Sequence, residues 1–326
     1  MSQDRSLEVN VRVTLVHNPA AGDERHSAKR ILKELAEAGY EARLQSTKKK
    51  GVEKVLEDPG DLVVVAGGDG SIKRVALALA GTGVPMAILP IGTANNIAKS
   101  LGDLGSMRNL IAGWRRAERR RLTVGSISSR WGAMRFVESV GVGVFTELVT
   151  RGDTEVDDNM AGLTGHEIDR ALLLLQEVVT ERAPRLRTLA LDGVDVTDEY
   201  LLVEAMNIPL VGPNVPLAPD ADFSDTRLDV VTVTERERSL LAEYVQARLA
   251  GGAAPPTLTV RRAAQVTMRA SPNELHVDDA PWSPEQPAGK AVPRPSLDEG
   301  EVKIALEDKA VEVLIGGPPA LDRERA

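Results

Sequence analysis

The chain has 326 residues, which is enough for two domains with separate hydrophobic cores. It contains no cysteine, which excludes disulfide bonds and thiol chemistry and is compatible with a reducing cytoplasm. The formal net charge of −8 argues against bulk electrostatic attraction to nucleic acid or to anionic bilayers. The polar N-terminus predicts no signal peptide, and no apolar run approaches the roughly 18 residues of a membrane-spanning helix.

The first part of the chain alternates between strand and helix patterns. Apolar runs and alternation predict strands at 9–16, 40–45, 62–66 and 86–89. Helical patterns predict helices at 28–36, 48–57, 71–80 and 93–101. Such alternation predicts an α/β domain with a parallel sheet wrapped by helices.

From about residue 121 the pattern changes to short strand-like runs separated by Pro, Gly, Asp and Asn. These runs lie at 124–128, 134–140, 186–191, 200–205, 228–233, 258–260, 265–268 and 274–277. With one helix at about 166–180, they predict a mostly antiparallel, sandwich-like second domain. A proline-rich loop at 283–295 precedes final strands at 303–306 and 311–315, and we expect the tail after residue 318 to be disordered.

A glycine turn at 67–71 follows the buried-type strand 62–66 and runs into a helix; its residues are Gly67, Gly68, Asp69, Gly70 and Ser71. Glycines let a backbone approach a ligand closely, and the free amides at a helix start face an anion. Because Asp69 would repel bare phosphate, its place there indicates Mg²⁺ or a bridging water beside a nucleotide. The pattern is neither a Walker A loop nor a Rossmann fingerprint, and an ordinary tight turn is the alternative.

Two more segments follow predicted strands, at the edge where open parallel sheets bind ligands. They are His17-Asn18-Pro19-Ala20-Ala21-Gly22 and Gly92-Thr93-Ala94-Asn95-Asn96. The first could equally be an ordinary Asn-Pro turn. In the second, we expect Thr93 to open a helix, where it would cap the helix or bind a phosphate.

In this order, NPAAG, GGDGS and GTANN resemble the diacylglycerol kinase catalytic-domain family, which includes bacterial lipid kinases and sphingosine and ceramide kinases. Segments 207–209, 218–221 and 225–230 are similar to later elements of that family, so the resemblance covers most of the chain. It implies a nucleotide-binding domain at 7–120, to which 308–317 returns, and a β-rich substrate domain at 121–307.

The resemblance also implies roles for individual residues. Those implied to bind the nucleotide are Asn18, Pro19, Ala20, Ala21, Gly22, Thr47, Gly67, Gly68, Gly70, Ser71, Thr93 and Asn95. Asp69 is implied to be catalytic. A Mg²⁺ ion is implied at the Asp225 carboxylate, with the backbone carbonyls of Asp222 and Arg227, and oxygen ligands suit this hard cation. An ordinary surface turn is the alternative there.

Several positions depart from the family pattern. Val277-Asp278-Asp279-Ala280-Pro281 aligns with V-D-G-E-P, in which the glutamate takes the proton from the lipid hydroxyl. An alanine cannot accept a proton, so either Asp278 or Asp279 is the base, or activity is low or altered. Other departures are Lys73 and Arg74 where relatives have Asn and Glu, Asn96 where many have Asp, and Thr226 where the family has Gly.

The resemblance implies an ATP- and Mg²⁺-dependent lipid kinase that transfers a γ-phosphoryl group to a hydroxyl of diacylglycerol or a similar lipid, as in phospholipid biosynthesis. An NAD kinase-like enzyme, with a similar GGDG turn, is one alternative. A nucleotide-binding regulator that has lost catalysis is another. We expect a cytoplasmic protein, peripheral at the membrane, with no nucleic-acid partner. The arginines at 115–121 are either the membrane contact or an ordinary solvated face. The oligomeric state stays open, a homodimer included.

Overall fold

The computed structural model describes residues 11–22, 24–102, 105–154, 164–252, 254–282 and 298–315. The chain divides into two compact units. The first contains the chain up to Gly92, then Gly102–Arg120, then the chain from Val311. The second contains Thr93–Leu101 and Arg121–Ala310.

The first unit is built on a parallel sheet with the strand order β4-β3-β1-β2. Its strands are β1 (Val11–His17), β2 (Tyr40–Ser46), β3 (Leu62–Gly67) and β4 (Met86–Pro90). The helices in this part of the chain are α1 (Ala28–Glu37), α2 (Val52–Val55), α3 (Asp69–Leu79), α4 (Asn96–Ser100) and α5 (Met107–Gly113). Helix α4 belongs to the second unit.

Burial explains why these residues form these elements. β3 is buried along its whole length, as expected for a central strand of a parallel sheet covered on both faces. In α1, Ile31 and Leu35 lie four residues apart, so they share one helix face, and both are fully buried. Each such side chain contributes roughly 1.5–3 kcal/mol on burial.

The second unit contains most of the remaining strands and three longer helices. The strands from residue 118 onward are β5 (Glu118–Ser129), β6 (Gly132–Phe136), β7 (Ser139–Gly143), β8 (Arg185–Arg187), β9 (Leu189–Leu191), β10 (Val194–Asp195), β11 (Asp198–Tyr200), β12 (Leu202–Met206), β13 (Leu210–Val211), β14 (Val215–Pro216), β15 (Leu228–Val233), β16 (Thr259–Ala263), β17 (Gln265–Ala270), β18 (Leu275–Val277), β19 (Ala280–Pro281) and β20 (Gly300–Ile315). The helices are α6 (Val144–Thr154), α7 (Thr164–Glu181) and α8 (Arg238–Leu249).

The second unit is a sandwich with a helical layer on one side. One sheet has the order β16-β15-β12-β7-β18-β19, and its pairs are antiparallel. Its inner face shares a hydrophobic core with β9, β17 and the first part of β20. Its other face packs against apolar side chains of α6, α7 and α8. This arrangement confirms the predicted fold class, an α/β domain followed by an antiparallel sandwich-like domain.

Several predicted boundaries were wrong. The predicted helix at 48–57 is reduced to the short α2, which begins after Gly51 in the left-handed conformation (φ 96°). The predicted helix at 93–101 begins only at Asn96, because Asn95 is left-handed (φ 53°). The run 134–140 divides into β6 and β7. The two predicted last strands form the single strand β20. Between them lies a polar stretch that includes Asp308, whose carbonyl accepts a hydrogen bond from the Arg121 guanidinium at 3.3 Å.

Other parts of the sequence prediction lie outside the described residues, namely 9–10, the loop at 283–295 and the tail after 318. Helices α5, α6 and α8 were not predicted. In the described part of the chain, no helix combines the length and apolarity needed to cross a membrane.

Candidate active site

The carboxyl ends of the parallel strands meet in register at one edge of the first unit. His17 pairs with Ser46 on one side and Ala66 on the other, and Ala66 pairs with Leu89. The chain therefore leaves all four strands along one row. The predicted nucleotide-binding residues that lie at this row or directly after it are Asn18, Pro19, Ala20, Ala21, Gly22, Thr47, Gly67, Gly68, Gly70 and Ser71.

Close packing explains the glycines of the turn after β3. A Cβ at Gly67 would lie 2.6 Å from the Ser71 Cβ, and a Cβ at Gly68 would lie 3.2 Å from the Gly92 Cα. The Ile91 amide donates to the Gly67 carbonyl at 3.2 Å. The backbones that leave β3 and β4 are thus in direct contact. A side chain at Gly68 would press on the Gly92 backbone, and one at Gly67 would clash with Ser71.

Asp69 is the first residue of α3 and is partly exposed. Gly68 precedes it in an extended conformation, and the amides of Ser71 and Ile72 donate to the Gly68 carbonyl at 3.0 and 3.1 Å. A carboxylate at this position is favoured by the helix dipole. It also offers a hard oxygen ligand beside a backbone that a ligand can approach closely, so the residues here fit a Mg²⁺ ion that accompanies a nucleotide.

The loop after β1 is closed by its own hydrogen bonds. The Asn18 amide donates to the Ala66 carbonyl at 2.9 Å, and the Asn18 Oδ1 accepts the Ala20 amide at 3.0 Å. His17 Nε2 lies 3.0 Å from the His26 carbonyl, which can only accept, so this nitrogen carries the hydrogen. Asn18 therefore shapes an Asn-Pro turn, and the buried His17, which the sequence prediction did not include, fixes the far end of the loop.

The GTANN segment is arranged differently from the prediction. Thr93 does not open α4; its Oγ1 donates to Glu167 Oε2 at 2.7 Å, and Asn95 stands immediately before the helix. Asn96 is buried, and its Nδ2 donates to the Gly212 carbonyl at 2.9 Å and to Glu138 Oε2 at 3.4 Å. Glu138 is itself buried and was missed by the sequence prediction. Its signal was a carboxylate inside the apolar run at 136–140.

Asp278 and Asp279 form the two-residue turn between β18 and β19, and their environments differ. Asp278 is 4% exposed, and its Oδ1 accepts the amides of Val137, Glu138 and Ser139 at 3.2, 2.7 and 3.2 Å. Asp279 is exposed. A carboxylate that already accepts three amides holds the protein together, so Asp279 is the better candidate for a proton acceptor.

Asn207 binds the segment 137–139 through its backbone carbonyls, whereas Asp278 binds its amides. Its Nδ2 donates to the Val137 carbonyl at 2.7 Å and to the Thr123 carbonyl at 2.8 Å, and its amide donates to the Glu138 carbonyl at 2.8 Å. Asp278 and Asn207 therefore fix residues 137–139, and with them the Glu138 carboxylate beside Asn96.

The contacts do not support the predicted magnesium site at Asp225. Its Oδ1 accepts the Arg227 amide at 2.8 Å, and its Oδ2 forms an ion pair with the Arg262 guanidinium. Asp222 accepts the Ser224 amide and hydroxyl at 2.9 and 2.6 Å. Within the described ranges, no group of three or more His, Cys, Asp or Glu side chains could hold a metal. Since a guanidinium already neutralises Asp225, these residues do not fit Mg²⁺.

Arginine side chains tie this turn to its neighbours. The Arg227 guanidinium donates to Asp192 Oδ2 at 2.7 Å and to the Arg262 carbonyl at 3.0 Å. Arg262 Nε lies 3.9 Å from Asp229 Oδ1. Burial raises the pKa of Asp229, and the Arg262 charge acts in the opposite direction.

Two family models match the chain. Residues 12–127 match the diacylglycerol kinase catalytic domain, and residues 153–295 match the YegS C-terminal NAD kinase beta sandwich-like domain. Residues 12–127 of the chain therefore match a diacylglycerol kinase catalytic domain. This confirms the predicted family and places the glycine turn, Asp69 and the GTANN segment within its catalytic domain.

Relatives of this chain include the diacylglycerol kinase of Bacillus subtilis, 26% identical over 251 residues that cover 72% of this chain and 77% of that protein. The diacylglycerol kinase of Mycobacterium tuberculosis (strain ATCC 25618 / H37Rv) is 26% identical over 187 residues, 56% of this chain and 57% of that protein.

Solved structures show the same fold. A diacylglycerol kinase from Bacillus anthracis str. Sterne has a TM-score of 0.65 at 19% identity, covering 95% of this chain and 98% of that chain. A yeast NADH kinase complexed with NADH has a TM-score of 0.51 at 11% identity, covering 94% of this chain and 84% of that chain.

The Asp225 turn gives a prediction about metal removal. Because Arg262 neutralises the carboxylate, we expect the thermal midpoint of the nucleotide-free protein to be the same in EDTA and in excess MgCl₂. Arg262→Ala should lower the free energy of unfolding by about 1 kcal/mol or less, and the midpoint accordingly, since the ion pair is half-exposed. Differential scanning calorimetry measures both effects, with Arg269→Ala as the control for loss of an exposed arginine. A Mg²⁺-dependent rise that Asp225→Asn abolishes would contradict this account.

Proposed function

We propose that this chain is an ATP-dependent lipid kinase that transfers the γ-phosphoryl group to a hydroxyl of diacylglycerol or a similar lipid. The observation that carries the proposal is the glycine turn, packed against Gly92, with Asp69 at the start of α3. The match of residues 12–127 to the diacylglycerol kinase catalytic domain supports a kinase, and the names of the relatives support the lipid.

In this proposal the strand edge of the first unit binds the nucleotide. Gly67 and Gly68 give the phosphates close access to the backbone, and the Asn18–Gly22 loop borders them. Asp69 would hold Mg²⁺, which when bound neutralises charge on the phosphates. The fixed hydrogen bonds of both turns keep these groups in place, which matters because phosphoryl transfer depends chiefly on positioning and electrostatic stabilisation.

The second unit supplies the proton acceptor in this proposal. Asp279 takes the proton of the attacking hydroxyl, a role that typically contributes roughly 10²–10⁴-fold to the rate. Asp278 holds the turn, because its carboxylate binds the amides of residues 137–139. Ala280→Glu is then expected to preserve or raise turnover, since it adds a carboxylate next to Asp279.

A lipid acceptor places the enzyme at a membrane surface. We propose that the enzyme docks peripherally from the cytoplasm, because its proposed acceptor lies in the membrane. Within the arginine group at 115–121, Arg119 already pairs with Glu312 at 2.9 Å, and Arg115 donates to the Ala38 carbonyl at 3.2 Å. Attachment through this group should therefore be weak and sensitive to salt.

The test is transfer of label from [γ-³²P]ATP to lipids in mixed detergent micelles. Each reaction offers one hydroxyl lipid, with diacylglycerol first, and the Asp69→Ala variant is the blank. We expect Mg²⁺-dependent label in the organic extract with at least one lipid. ATP binding without transfer to any lipid would overturn the kinase and favour the regulator.

The second candidate is an NAD kinase-like enzyme. Two observations favour it. The fold is similar to that of yeast NADH kinase, with a TM-score of 0.51, and residues 153–295 match an NAD kinase beta sandwich-like domain. The catalytic-domain match at 12–127 favours the lipid instead.

A further inference from the structure

A glutamate and a histidine meet inside the sheet of the second unit, across a glycine. Gly141 on β7 pairs with Glu204 on β12 and with His276 on β18. A Cβ at Gly141 would overlap the Glu204 carboxylate. Because glycine leaves this space open, Glu204 Oε2 reaches across β7 to within 3.0 Å of His276 Nε2. Their side chains are 0% and 1% exposed.

The hydrogen bonds fix how many protons this pair holds. His276 Nδ1 lies 2.9 Å from the Asp278 carbonyl, which can only accept, so Nδ1 carries a hydrogen. The contact between Nε2 and Oε2 then needs one more proton, on the imidazole or on the carboxylate. Without it, a buried carboxylate would face the lone pair of a neutral imidazole, a contact that burial makes unfavourable.

The charges around the imidazole agree with this reading. The charged groups that face it are Glu204 on β12 and Asp278 in the adjoining turn, while its pairing partners on β7 and β19 are Gly141 and Pro281. Burial lowers the pKa of His276, but the Glu204 charge and the hydrogen bonds to Glu204 and Asp278 outweigh it and raise the pKa overall.

The same histidine holds the turn that carries the two aspartates. Asp278 is in the left-handed conformation (φ 54°), which is costly for a residue other than glycine. His276 fixes its carbonyl, and the amides of residues 137–139 fix its carboxylate. The position of Asp279 follows from these contacts.

We propose that Glu204 and His276 form a one-proton latch, which holds the Asp278–Asp279 turn closed and releases it when the pair loses its proton. His276 is thus a positioning residue for Asp279. The catalytic consequence rests on the proposed function, whereas the latch itself does not.

The sign of the pH dependence follows from the raised pKa of His276. Its contribution to stability is present in full below the unfolded-state value of about 6.5 and is lost as the pH rises through the folded-state pKa. On the alkaline side the neutral imidazole has one hydrogen for two acceptors. The charged Glu204 carboxylate binds this hydrogen through Nε2, so Nδ1 no longer donates to the Asp278 carbonyl and the latch opens.

Amide hydrogen exchange at residues 137–139 tests the latch without any substrate. In the wild type we expect the protection factors, corrected for intrinsic exchange, to fall roughly tenfold on the alkaline side. A fall of this size corresponds to the loss of about one hydrogen bond to a charged group. Glu204→Gln keeps a hydrogen bond to the imidazole but needs no shared proton, so its protection should not depend on pH. His276→Leu should be poorly protected throughout. Equal, pH-independent protection in all three proteins would overturn the latch.

Nitrogen NMR of wild-type His276 keeps the test decisive if His276→Leu does not fold. We expect both ring nitrogens to carry a hydrogen at neutral pH, and Nδ1 to lose its hydrogen on the alkaline side while Nε2 keeps the one that faces Glu204. An Nδ1 that keeps its hydrogen on the alkaline side would overturn the latch. In the kinase assay, the alkaline fall of kcat should disappear in Glu204→Gln with the KM for ATP unchanged. If the protein phosphorylates no lipid, the exchange and NMR results still decide the latch.

Discussion

Asp69→Ala is expected to abolish phosphoryl transfer, by at least about 10²–10³-fold, while the protein stays folded. The carboxylate is partly exposed at the first position of α3, where the helix dipole contributes roughly 0.3–1 kcal/mol, so we expect the variant to stay folded. The measurement is the initial rate of label transfer at saturating Mg²⁺, with circular dichroism melting of the same preparation.

Asp61→Ala is the matched control, because Asp61 lies directly before the opposite end of β3. Its carboxylate accepts hydrogen bonds from the amide and the guanidinium of Arg12 at 2.9 to 3.4 Å. It should leave turnover unchanged. If Asp69→Ala keeps wild-type turnover, Asp69 has no role in phosphoryl transfer.

Asp278→Ala is expected to act mainly on stability. Its carboxylate is the acceptor for three buried amides, so its loss should cost about 3 kcal/mol. For a unit of this size that corresponds to a fall of roughly 6–12 °C in the thermal midpoint. Asp279→Ala should lower the midpoint far less, because Asp279 is exposed, and should lower kcat by roughly 10²–10⁴-fold, as expected for a general base.

Thermal melting and single-turnover rates of both variants separate the two roles. If Asp278→Ala melts like the wild type and has lost only its chemistry, Asp278 is the base and the assignment of Asp279 is wrong. Wild-type turnover in Asp279→Ala would remove it from the mechanism.

The first unit could be predicted closely because its signals are local. β3 is an uninterrupted apolar run that ends in glycine, and the observed strand extends the predicted 62–66 by one residue. Helix α6 was missed since it follows β7 without a linker, and the chain turns at Gly143 (φ 105°), the last residue of β7. Helix α4 is shorter than predicted because the left-handed Asn95 is not visible in an apolar pattern.

The site was less predictable because its decisive contacts join distant residues. Asp278 binds amides about 140 positions earlier, so the sequence left it equivalent to Asp279. The ion pair of Asp225 with Arg262 spans 37 positions and that of Glu204 with His276 spans 72, and neither spacing gives a pattern. Among the site residues that the sequence prediction missed, Glu138 is the one with a local signal, a single acid within a mostly apolar run.

The most direct test of the central claim offers one tube of enzyme a choice of acceptors. Radiolabelled ATP is added with Mg²⁺, mixed lipid vesicles that contain diacylglycerol, and NAD, and the organic and aqueous phases are counted after separation. We expect Mg²⁺-dependent label in the organic phase that is absent with Asp69→Ala. Label in NAD, with none in the organic phase, would contradict the assignment of this chain as a lipid kinase.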